Sequence, residues 1–290
     1  MQPTYFILGA IVLSLALAQL NQRLGSPVVA ILERWLRWLI FGFGAAHLCL
    51  DFGLIDRPYG ALVIVFLLLW LLGETLYNWL GIQALSVSPL PLFPRYTPNP
   101  GGEEWPTQPR LLRIREWLRA QGFKSVQALK AEIGGGIYLR VSVYQDAAAT
   151  TRIQVTFLPQ ARGVIGVCFS ITSLTADGSR FVTDNFHIPF AGFYPEHWYV
   201  ERRPLRRSLA RLLARHRARL GAEKLAAFAT DPLVDLNAQQ HELDQLNTQL
   251  GFLNPQPERE EFGKISQAGR YRVWKEIWML NYLGRAASYQ

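Results

Sequence analysis

Residues 62–73 read LVIVFLLLWLLG, twelve positions without a charge. A helix rises about 1.5 Å per residue and needs ~20 apolar residues to cross the hydrocarbon core of a bilayer. With its flanks this stretch covers residues 61–82, so it reads as a transmembrane helix. Two further apolar runs precede it, at residues 4–20 and 35–52. The second contains His47 and ends near Asp51, and the first is at the short limit for a span. The first run has a rival reading as a signal peptide, because Ala16-Leu17-Ala18 resembles a small-x-small cleavage site. The residues before it, Met1-Gln2-Pro3, lack the usual basic start, so a retained helix is the expectation.

The 290 residues divide unevenly around these runs: residues 1–95 carry nine of the 52 Asp, Glu, Lys and Arg side chains. The overall values, 50% hydrophobic and 18% charged, therefore average an apolar anchor at 1–85 with a polar domain. Such a chain is neither disordered nor a wholly soluble enzyme. Short loops set orientation through their Lys and Arg content. Arg23, Arg34 and Arg37 lie between spans one and two, Arg57 alone between two and three, and Arg95, Arg110, Arg113 and Arg115 follow span three. This alternation predicts a multi-pass membrane protein with its N-terminus outside and its C-terminal domain cytoplasmic. Two cysteines, Cys49 and Cys168, supply no disulfide framework and suit a reducing compartment.

Ionisable groups inside a bilayer are functional suspects. His47 and Glu74 are those here, at depths that differ by about 6 Å when counted at 1.5 Å per residue from the cytoplasmic ends of their spans. They are expected to pair across adjacent helices as interhelical glue, helped by Gly42 and Ala46, or to form part of a small transport or sensing unit.

Residues 86–109 hold seven prolines in 24 positions, a density that excludes helix interiors and reads as a semi-rigid linker. Residues 110–290 read as one cytoplasmic α+β domain. Leu111, Leu112, Ile114 and Leu118 mark a helix that Gly122 stops. Period-two alternation then predicts strands through Leu129–Ile133, Leu139–Val143, Ile153–Phe157 and Ile165–Ile171, with a hairpin at Ala176-Asp177-Gly178-Ser179 leading into Arg180–His187. The fold class expected is thus α+β, with three transmembrane helices followed by an antiparallel meander of about five strands, one face covered by helices. Further helices are expected from about Pro204 to Leu220, around Leu236, Leu243, Leu246 and Leu250, and over Arg270–Leu283.

No motif specifies a reaction. Phosphate-binding glycine loops and nucleophile elbows are missing, and His241-Glu242 begins a zinc-protease pattern that fails at Gln245. Neither a metal nor a cofactor is expected. The only loose constellation is Asp184, His187, Glu196 and His197, which could form the polar site of a membrane-anchored enzyme if the fold gathers them.

The strongest polar feature is arginine density. Eight arginines stand between Arg202 and Arg219, and Arg203, Arg207, Arg211 and Arg215 recur every four residues. They form either a solvated face partly neutralised by acids such as Glu258, Glu260 and Glu261, or a surface for anionic phospholipid headgroups or a protein partner. Nucleic acid is not the expected partner, because no nucleic-acid motif accompanies the net charge of +8. Trp274, Trp278 and Tyr282, near helical spacing, read as core residues capping the domain, with an interfacial stripe as the alternative. The function expected is a basic α+β binding module presented at a membrane surface.

Overall fold

The computed structural model describes residues 3–103, 105–134, 136–159 and 165–287. Three long helices come first: α1 (Pro3–Leu24), α2 (Pro27–Asp51) and α3 (Tyr59–Val87). Short connections make consecutive helices antiparallel, and α2 packs between the other two. Two of the three, Thr4–Gln22 within α1 and Tyr59–Val87, are long and apolar enough to cross a membrane. α2, the second expected span, does not reach that standard, because Glu33, Arg34 and Arg37 occupy its first half and Asp51 its end. Gly42 permits close packing of α2 on α3, since an added Cβ would lie 2.5 Å from Leu67 Cδ2.

Seven strands follow one another across the main path of the sheet: β1 (Tyr96–Pro98), β2 (Lys124–Gly134), β3 (Ile137–Gln145), β4 (Thr151–Pro159), β5 (Ile165–Thr175), β6 (Arg180–Asp184) and β7 (Trp198–Arg202). The expected five-strand meander is β2 to β6, antiparallel throughout. The Asp-Gly turn closes β5 on β6, with Gly178 at φ +88° and Asp177 accepting from the Thr175 hydroxyl and the Ser179 amide. The sheet is larger than expected and mixed. β1 comes from the proline-rich segment, β7 runs parallel to β6, and β8 (Leu225–Ala226) pairs β5 past the start of β4. Parallel pairing arises because the chain leaves β6 at Asp184 and loops back through residues 185–197 before β7 begins.

Both faces of the sheet are covered, where one was expected. On one face Leu111 and Leu118 of α4 (Pro109–Ala120) and Leu209, Leu212 and Leu213 of α5 (Leu209–Leu220) pack on Tyr144, Ile153, Val155, Phe169 and Ile171. On the other, Leu236 of α6 (Pro232–Gln249) packs on Leu129, Val141 and Val143. A strand buried on both faces loses its clean alternation, and β5 is enclosed almost continuously from Cys168 to Thr175. Small polar residues, Ser170 and Thr172, stand on the second face, while Ser173 on the first meets His216 of α5.

The proline-rich segment 86–109 is held against the domain. α3 continues through Ser86, whose hydroxyl accepts from the Ile265 amide at 3.0 Å and whose carbonyl accepts from the Lys264 amide at 2.8 Å. Ile82, Leu85, Leu92 and Phe93 join Phe252, Leu253, Ile265 and Val273 in one apolar cluster. After the short helix α7 (Arg259–Phe262), α8 (Gln267–Trp278) continues as a π turn, Met279–Leu283, that meets α2. Trp35 Nε1 donates to the Tyr282 carbonyl at 3.0 Å, and the Tyr282 ring contacts Trp35, Trp38 and Trp278. Tyr282 is thus a core residue at the junction of helices and domain.

Candidate functional site

Glu74 is an acceptor at that junction. It takes the Tyr282 hydroxyl, Trp70 Nε1 at 3.1 Å and Arg34 Nη1 at 3.4 Å. His47 is elsewhere, bonded to Thr4 Oγ1 at 3.1 Å. The expected His47–Glu74 pair is therefore corrected. Antiparallel packing sets Arg34 opposite Glu74 and Phe41 opposite Phe66 and Trp70. The 13 residues from Arg34 to His47 then correspond to about 20 Å along α2.

The four polar residues proposed for an enzyme site are also not gathered. In the β6–β7 register Arg180 lies beside Trp198 and Asp184 beside Arg202. Asp184 and His187 thus leave one end of the strand pair, while Glu196 and His197 enter at the other, about 13 Å away at 3.3 Å per residue. Glu196 and His197 are exposed, and His197 lies 3.7 Å from Glu242. His187 Nδ1 is enclosed without a partner among the described residues, and burial, then the charge of Arg34, push its pKa down.

Asp184 belongs to a different group, one not foreseen from the sequence. Arg202 at the end of β7 donates to Asp184 at 3.1 Å and lies 3.6 Å from Glu276 of α8. The carboxylates are 3% and 2% exposed, and Glu276 also accepts the Phe190 amide at 3.1 Å. Two buried acids share one arginine. Burial pushes both carboxyl pKa values up, against the pull of Arg202. Each acid then binds a proton more tightly folded than unfolded, so stability falls as pH rises through the carboxylate range and above. In Glu276→Gln the amide keeps an acceptor for Phe190 and carries no charge. The expected result is a Tm that falls less steeply between pH 4 and 8, reaching a value at or above wild type by a few degrees at pH 8. A parallel pair of Tm curves would exclude the linkage. Cys168, near this group, has its thiol pushed up to about 12 by burial, which makes it a poor nucleophile. Both cysteines are free.

The arginines separate into two sets, which corrects the expected single helical flank. α5 starts only at Leu209, with Ser208 as its cap accepting the Arg211 amide. Arg203 precedes the helix, and with Arg215 and Arg219 it surrounds Glu201. Arg203 Nε lies 2.9 Å from that carboxylate, Arg215 Nε 2.9 Å and Arg219 Nε 3.3 Å. Burial pushes Glu201 up, but Arg215 and Arg203 outweigh it and hold the carboxyl below its usual range. Glu201 is the neutralising acid; among the described residues Glu258, Glu260 and Glu261 make no ion pair with this cluster.

Arg206, Arg207 and Arg211 form the other set and are exposed. Arg207 Nη2 donates to the carbonyl of Leu24, the last residue of α1, at 2.7 Å. Among the described residues no carboxylate pairs with Arg206, Arg207 or Arg211, and Arg110 stands close to Arg207, so this corner is an excess of positive charge. Leu205 and Leu283 are large, apolar and exposed here, and Leu205 packs beside Gly284. The basic turn 203–208 thus abuts the end of α1 and the C-terminal segment that meets α2. Among the described residues no group of three His, Cys, Asp or Glu side chains could hold a metal ion.

The chain shows no match to protein-family models, to curated proteins or to solved structures. The geometry alone carries the functional reading.

Proposed function

We propose that this is a membrane protein anchored by its three N-terminal helices, with the N-terminus outside and the domain cytoplasmic, and that it acts by binding anionic phospholipid headgroups at the membrane surface. The observation that carries the reading is the bond from Arg207 to the end of α1. It supports a basic surface in which Arg207 meets the rim of the apolar helices, with the exposed Arg206 and Arg211 and the exposed apolar Leu205 close to it in sequence.

The helices need an apolar solvent. Only 6% of the most apolar window of α1 and 11% of that of α3 is covered by the rest of the protein, whereas a soluble core helix would be mostly enclosed. In this reading α2 crosses with α1 and α3, Arg34 near one end lying level with Glu74 and Asp51 closing the other. Trp35, Trp38 and Trp70 beside the Arg34–Glu74 pair match the aromatic belt of a membrane interface. Nearby arginines contribute up to ~1 kcal/mol each toward an anionic surface. With partial solvation the three together contribute about tenfold in affinity, at 1.4 kcal/mol per factor of ten.

The full-length protein carrying Arg206→Glu, Arg207→Glu and Arg211→Glu tests this. Native mass spectrometry from neutral detergent should show retained phosphatidylglycerol reduced about tenfold against phosphatidylcholine, and wild-type retention should weaken with salt. Equal retention by wild type and variant would sink the proposal. The enzyme and transport alternatives draw no support from the placement of Asp184, His187, Glu196 and His197, or of His47 and Glu74.

A further inference from the structure

A groove of about 410 Å³ lies between the proline-rich segment and α6. That is within the ~300–1,000 Å³ range of small-molecule sites. One wall is apolar, formed by Pro91, Leu92, Phe93 and Leu253. The charged lining is Arg95, Arg259 and Lys264 against a single carboxylate, Asp244, with His241 beside them. Asp244 is engaged by Arg259 at 3.3 Å, which leaves two positive charges unmatched within the groove.

Donor counting sharpens the imbalance. Lys264 Nζ bonds the carbonyls of Ser88 and Leu90, and an ammonium has three donors, so one is left over. The side chains of Arg95 and His241 have no hydrogen bond or ion pair among the described residues. An unpaired guanidinium, an ammonium with a donor left over and an imidazole thus line the same groove as an aromatic and aliphatic wall. Arginine forks match carboxylate and phosphate oxygens in pairs.

We propose that this groove binds a soluble organic dianion, a phosphate monoester or dicarboxylate with an apolar body, through Arg95, Lys264 and His241. The source is a free solute and not a lipid headgroup. Ser88 stands 14 residues beyond Glu74 along α3, about 20 Å from the level of the Arg34–Glu74 pair at 1.5 Å per residue.

Phenyl phosphate and phthalate are the probes, titrated calorimetrically into the full-length protein in neutral detergent. At least one should bind saturably, and more tightly than the monoanion benzoate. Arg95→Gln should weaken it about tenfold, the scale of one charged hydrogen bond, and His241→Gln should weaken it less. Because both side chains are exposed and unpaired, the ligand-free Tm of each variant should equal that of wild type. The proposal is overturned if neither probe binds, if both variants bind as wild type does, or if only phosphatidic acid in nanodiscs binds.

Discussion

Asp235→Ala is expected to cost about 3–5 kcal/mol of stability, the range for a buried ion pair that loses one partner. For a domain of this size that reads as a fall in Tm of roughly 6–20 °C. Asp235 lies near the start of α6 and takes Arg152 Nη1 of β4 at 2.7 Å, Arg180 Nη2 of β6 at 2.7 Å and Gln239 at 3.0 Å. Arg152 is 1% exposed, stacks over the Phe228 ring at 4.1 Å and donates to the Thr230 carbonyl at 2.9 Å. Burial pulls its pKa down and Asp235 pulls it back. Without the carboxylate, one fully enclosed and one largely enclosed guanidinium repel each other, and only the more distant Asp231 offsets them. Replacing the charges together, as in Asp235→Leu with Arg152→Met and Arg180→Met, should recover much of the loss, because the cost lies in the unpaired charge. A Tm within 2 °C of wild type for Asp235→Ala would show that the carboxylate does not hold α6 to the sheet.

The second large effect is expected for Glu74→Ala. Three donors lose their acceptor at once: the Tyr282 hydroxyl, Trp70 Nε1 and Arg34. Arg34 would then stand unpaired beside the apolar helices, so a loss of about 3 kcal/mol is expected. The first consequence is detachment of the Met279–Leu283 turn from α2. In detergent, limited trypsin digestion should cut at Lys275 and Arg285 at least tenfold faster in Glu74→Ala than in wild type. Tyr282→Phe removes one hydrogen bond, worth about 1–3 kcal/mol when its partner is enclosed, and should give an intermediate rate. Unchanged digestion would mean that the aromatic contacts of Trp35, Trp38 and Trp278 hold the segment without Glu74.

Elements with a strong local period were readable. LVIVFLLLWLLG lies inside α3, the Ile153–Phe157 and Ile165–Ile171 alternations lie in β4 and β5, and the Asp-Gly turn joins β5 to β6. Elements whose residues carry no period of their own were not. β1 is three residues from a proline-rich run, β8 is two, and β7 lies in WYVER beside the arginines. Each exists because a neighbouring strand offers an edge. α5 starts about five residues later than its proline suggests, since Pro204 suits a first helical turn but Ser208 makes the capping bond.

Local chemistry along the chain was enough to separate an apolar helical segment from a basic domain, because hydropathy and period are properties of neighbouring residues. Which charges meet was decided only by the tertiary structure. Glu74 pairs with Arg34 and Tyr282 and not with His47, Glu201 collects Arg203, Arg215 and Arg219, and Asp184 and Glu276 share Arg202. A charge interacts across a few ångströms of space whatever the separation along the chain. Helix register and strand order therefore set the partners, and they left Arg206, Arg207 and Arg211 exposed and, among the described residues, without a carboxylate, Arg207 against the end of α1.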